Sequence, residues 1–175
     1  MKLGFGNSFH IPLERKPVPG GIITLSNDLA EYPHVVDEAK DQVGLIPCIY
    51  FEGDSSDFSK GPAQDVAKNI ENLDRLAAII QRYPDFKLVI LGYAANTHFE
   101  SAAVMERENL EELLSLSQKR AESIRNALVA RGLDAGDIRC TGRGNANPVV
   151  PAGDSANQWK NRRVEFILEK EEKGE

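Results

Sequence analysis

From Gly44 onward the apolar and polar positions fall into blocks whose periods can be read directly. Leu45 to Phe51 (LIPCIYF) is rich in strand formers and runs into the turn-like Gly53-Asp54-Ser55-Ser56, which predicts a first strand. Ser59-Lys60-Gly61-Pro62 then opens a helix, because the N–H that proline lacks has no partner in a first turn anyway. Val66, Ile70, Leu73, Ala77 and Ile80 step by four, three, four and three, which puts one apolar stripe on one face. Tyr83-Pro84 ends it, since a residue before proline is pushed out of the helical region. Phe86 to Leu91 (FKLVIL), closed by Gly92, reads as a strand buried on both faces. After an irregular stretch, a second helix is expected from about Met105 to Arg131, with Leu110, Leu113, Leu114, Ser117, Ala121, Ile124 and Leu128 on one face and Gly132 just past its end. Ile138 to Thr141 and the alternating Val164, Phe166 and Leu168 give two more strands. The order is βαβαββ: an α/β (α+β) layer fold, two main helices on a small mixed four-stranded sheet.

Residues 1–43 break this regularity. Pro12, Pro17, Pro19, Gly20, Gly21 and Pro33 interrupt short apolar pieces such as Ile22-Ile23-Thr24-Leu25, so they are read as an extended arm or linker holding one short strand. The domain proper is placed at 44–170 and a charged tail at 171–175.

Composition narrows the function. The 21 Lys+Arg against 27 Asp+Glu leave a net charge of −6, which argues against a nucleic-acid surface. No apolar run is long enough for a membrane helix, and Met1 to Asn7 shows no signal-peptide pattern. Cys48 and Cys140 lack the CxxC pairing of zinc or redox sites and read as small, buried strand residues. His10, His34 and His98 form no HxxxH pair, and there is neither a GxSxG elbow nor a GxxxxGK[ST] loop. Gly142-Arg143-Gly144 follows a strand, but no helix opens after it, so turn glycines are the better reading. No catalytic residue, metal site or cofactor is expected.

Five spaced pieces remain: Ile49 to Phe58 (IYFEGDSSDF), Val89-Ile90-Leu91-Gly92-Tyr93, Leu116-Ser117-Gln118-Lys119-Arg120-Ala121, Gly142 to Pro148 (GRGNANP) and Asn161-Arg162-Arg163-Val164-Glu165. In this order they resemble the OmpA-like domain, the peptidoglycan-associated module of bacterial envelope proteins, over about residues 44 to 170. The resemblance implies a non-catalytic, periplasmic, outer-membrane-associated domain whose partners are peptidoglycan and other envelope proteins. The alternative is a structural or protein-interaction domain of the envelope without peptidoglycan binding.

Family members hold the diaminopimelate residue of the stem peptide, whose side chain ends in an ammonium and a carboxylate. Arg120 stands where the family has its helix arginine in LSxxRA, and a guanidinium fork suits a carboxylate. The other half departs from the family's G-H-T-D-x-x-G: here the chain reads Gly92-Tyr93-Ala94-Ala95-Asn96-Thr97-His98, with Ala95 in place of the aspartate. Ala94 replaces the threonine, and Leu113 the asparagine expected before the LS pair. Diaminopimelate binding is therefore expected to be weak, altered or lost. The other residues assigned to the site are Asn96, Thr97, Asp54, Asp57, Arg162 and Arg163, with Asp54 and Asp57 equally readable as turn or cap residues. Period-two alternation puts Arg162 and Arg163 on opposite faces, so at most one aims at the pocket. The stretch from Thr97 to Arg120 exceeds the family's spacing. His98 to Glu108 (HFESAAVMERE) is expected to cover the pocket or lengthen the helix, in preference to supplying a replacement acid from Glu100 or Glu106.

Overall fold

The computed structural model describes residues 48–170, together with the backbone of three short strands before them. The tail at 171–175 and most of the arm at 1–43 lie outside the described residues. In chain order the elements are β1 (Ile22–Thr24), β2 (His34–Asp37), β3 (Gln42–Leu45), β4 (Ile49–Tyr50), α1 (Ala63–Ile80), β5 (Phe86–Gly92), α2 (Ala102–Glu108), α3 (Leu114–Val129), β6 (Ile138–Gly142) and β7 (Arg163–Lys170). A π-helical turn, Asn109–Leu113, joins α2 to α3 without a break.

β7 is the centre of the sheet. One edge pairs antiparallel with β5 from Val164 to Lys170; the other pairs with β4 at Arg163 and Val164 and with β1 at Ile167 to Glu169. β6 lies parallel to β5 at the far edge. The expected mixed sheet and two-helix layer are thus present, with β1 added and a separate β2–β3 hairpin. Where one short strand was expected before residue 44, there are three, and the run Leu45–Phe51 is divided between the end of β3 and the two residues of β4.

The core lies between the helices and one face of the sheet. Leu73 and Leu76 of α1, Ile124 and Leu128 of α3, and Leu88, Ile90, Val164, Phe166 and Leu168 of the strands are all essentially without solvent exposure. Two details correct the expected helix faces. In α1, Ile70 is 41% exposed and Asn69 is buried in its place, its side-chain amide donating to the carbonyls of Tyr50 and Phe58. In the second helix, Leu110 is 63% exposed and Leu114 is at the surface as well, because the π-turn inserts a residue and shifts the phase. Going back from Leu113, the buried face steps five residues to Glu108 where an α-helix would step three or four.

Glycines set the helix height. A Cβ on Gly92, at the end of β5, would lie 2.0 Å from the Ser117 carbonyl, and one on Gly142, at the end of β6, 2.6 Å from the Gln118 nitrogen. α3 therefore rests on the strand ends backbone to backbone, which fixes where Ser117 and Arg120 fall.

Candidate functional site

The ends of β5 and β7, the 51–59 loop and α3 converge around Arg120. This side chain is 0% exposed. Its Nε donates to the Ser55 carbonyl (2.8 Å), Nη1 to Tyr93 (3.0 Å) and Nη2 to Glu52 (3.0 Å), so the planar fork is spread over three backbone oxygens. Among the described residues no carboxylate is within ion-pair distance of it. Burial, with the nearby charge of Arg162, lowers its pKa to about 10 while Asp54 pulls the other way; the group stays cationic at neutral pH. Its guanidinium lies 5.3 Å from the Phe51 ring centroid.

Asp54 sits exposed in the turn at φ +51°. Asp57 accepts from the Ser59 N–H (2.9 Å) and hydroxyl (2.6 Å), bonds that hold its carboxyl below the usual range. Arg162 donates from Nε to the Phe51 carbonyl and lies beside the same loop. Arg163 points elsewhere: it is 4% exposed, stacked 4.1 Å over the Tyr93 ring, and bonded to Glu165 and the Asn147 carbonyl, while its Nη1 has no partner. Arg120, Asp54 and Arg162 are therefore one neighbourhood, and Arg163 is a second.

Asn96 and Thr97 form a third, organised by a residue the sequence did not single out. Glu108, 6% exposed, accepts from the Thr97 N–H (2.8 Å) and hydroxyl (2.5 Å), the Asn96 amide (2.8 Å) and the His98 N–H (3.3 Å). Burial raises its pKa, but these donors outweigh burial and hold the carboxyl below the usual glutamate range. Glu100 lies 3.6 Å from His98, both side chains exposed. Glu106 is exposed. Only the π-turn's shift of phase, invisible as a pattern of apolar residues, brings Glu108 inward.

Ala95 is half-buried and carries no polar group. With Ala94, Asn96, Phe99, Met105 and Asn145 it lines a hollow of about 210 Å³. The Asn96 side chain is spanned by Met105, Glu108 and Asn145, so the 98–108 stretch packs directly over the segment after β5. Among the described residues no group of His, Cys, Asp and Glu is placed to hold a metal ion, and no helix is long and apolar enough to cross a membrane. Cys48 and Cys140 are both half-buried. Burial pushes their thiols up to about 12 and about 11, which disfavours the nucleophilic thiolate at neutral pH.

A mixed sheet centred on its last strand, two helices on one face and an arginine presented from the second define the class as an OmpA-like module. The OmpA family profile matches residues 50–162, and the chain belongs to that family. It is 31% identical to the probable lipoprotein YiaD of Escherichia coli over 115 residues, 66% of this chain and 46% of that protein. It is also 31% identical to the peptidoglycan-binding protein ArfA of Mycobacterium tuberculosis over 111 residues, 63% of this chain and 31% of that one. The match therefore spans less than half of either relative. Among solved structures, the peptidoglycan-associated lipoprotein of Burkholderia pseudomallei superposes with a TM-score of 0.54 at 24% identity, covering 70% of this chain and 89% of that one, a likeness of fold. Of these names, YiaD's is that of a lipoprotein and ArfA's that of a peptidoglycan-binding protein.

Proposed function

We propose that the domain is a periplasmic, outer-membrane-associated module that associates with peptidoglycan through a remodelled stem-peptide site. Family membership and the relatives' names support the partner. The observations that carry the remodelling are Ala95 and Glu108: the position that would face a ligand ammonium has no charge, and the buried carboxylate of Glu108 accepts from four donors of residues 96–98. A site that leaves the ammonium unpaired gives up on the order of 1–3 kcal/mol. Diaminopimelate is accordingly held weakly, with the 98–108 segment acting as cover.

The test is co-sedimentation of the whole chain with sacculi containing diaminopimelate and, separately, lysine or ornithine. Weak retention that rises when Ala95→Asp restores the carboxylate is the expected result. The absence of retention on every type, in both forms, refutes the reading and leaves an envelope scaffold that acts through protein partners. The burial of Arg120 is the observation favouring that second reading.

A further inference from the structure

A groove lies away from Ala95 and Glu108, between β4, the first half of α1 and the short 3-10 turn Gln158–Asn161 before β7. Its volume is about 510 Å³, within the range of about 300–1,000 Å³ typical of small-ligand sites. One wall is aromatic. Trp159 is 42% exposed, yet it is seated: its ring meets Tyr50 edge-on at 5.0 Å, and the Lys160 ammonium lies 5.6 Å from its centroid. Tyr50 is in turn fixed by the Asn69 side chain, which brackets its backbone N–H and carbonyl. A large apolar ring held in place at the mouth of a groove is costly to leave in water and suited to receiving a flat ligand face.

The rest of the lining is polar and mixed in sign, with Lys60, Lys68, Arg162, Glu52 and Asp65. Such a lining fits neither an apolar ligand, which could satisfy none of these groups, nor a simple anion, which the two carboxylates oppose. A pyranose ring answers both parts: one face is C–H and packs on an indole, while its hydroxyls donate to carboxylates and accept from ammonium and guanidinium groups. From this juxtaposition we infer that the Tyr50–Trp159 groove is a carbohydrate site for an N-acetylated amino-sugar chain.

This rests on the peptidoglycan reading and deepens it. Phe51 and Glu52 line the groove, and the Glu52 carbonyl also holds Arg120, so the groove and the Arg120 neighbourhood share one loop. In peptidoglycan the stem peptide hangs covalently from the sugar, so a protein gripping the peptide has the glycan within reach.

Trp159 is the only tryptophan in the chain, which makes its emission a direct probe. The whole chain is titrated with tri-N-acetylchitotriose, and its retention on peptide-free glycan strands is measured alongside that of Asp65→Ala and Trp159→Ala, both first checked for native circular dichroism. The site predicts a saturable change in Trp159 emission, about tenfold weaker apparent affinity in Asp65→Ala, and loss of strand retention in Trp159→Ala. Emission that does not move with millimolar sugar, or strand retention unchanged by Trp159→Ala, overturns the site. If intact sacculi still retain such a chain, only the sugar site has failed; if they do not, the peptidoglycan reading has failed separately.

Discussion

Replacing Arg120 tests whether this arginine holds the fold or merely visits a ligand. Its three bonds, at 2.8, 3.0 and 3.0 Å, join the 52–55 loop and the residue after β5 to α3. Hydrogen bonds from a charged donor are worth about 1.5–3 kcal/mol each, and they do not add in full because water refills part of the space. Arg120→Met keeps most of the stem volume, removes every donor and leaves three carbonyls unpaired; we expect a loss of about 3–5 kcal/mol. That is a large part of the roughly 5–15 kcal/mol by which a domain is stable. Arg120→Lys offers one nitrogen where three carbonyls diverge, so it should recover less than half. The assay is urea unfolding followed by far-UV circular dichroism, with midpoints compared at constant slope. A loss under about 1 kcal/mol in Arg120→Met would mean that the three bonds contribute little and that the guanidinium is available to a ligand.

Two further outcomes follow from the same geometry. Glu108's carboxyl is held below the ordinary glutamate range in the fold, so its stabilisation is complete above the ordinary value and is lost as pH falls through the lowered folded one; Glu108→Gln should lower the midpoint at pH 7 and flatten the acid limb of a stability–pH curve. With their thiols pushed to about 12 and about 11, Cys48 and Cys140 should react with a disulfide reagent in the folded protein far more slowly than after denaturation, and a rapid reaction in the native state would contradict their burial.

Periodicity was a good guide wherever one face of an element meets the core. Val164, Phe166 and Leu168 are buried as their alternation predicts, and Gly132 follows α3 at φ +93°, the conformation expected past a helix end. Periodicity failed where something other than an apolar contact decides the face. Asn69 is turned inward by the Tyr50 and Phe58 carbonyls at the expense of Ile70. The π-turn breaks the register that Leu110 and Leu114 seemed to continue. The candidate site residues fall into three neighbourhoods that their order along the chain does not reveal. Arg120 was found from its motif, but its three carbonyl partners are 27, 65 and 68 residues away, a distance over which no local pattern extends. Glu108 resembles any surface acid until the helix phase is known.

The π-turn also works as an adaptor between two lengths of helix. One residue more or less changes the azimuth of everything before it by about 100° while leaving everything after it untouched. α3, clamped by Gly92 and Gly142, keeps its seat on the sheet, and the slack is taken up at Asn109–Leu113. Re-aimed by that turn, Glu108 joins the Met105 carbonyl in tying α2 to residues 96–98.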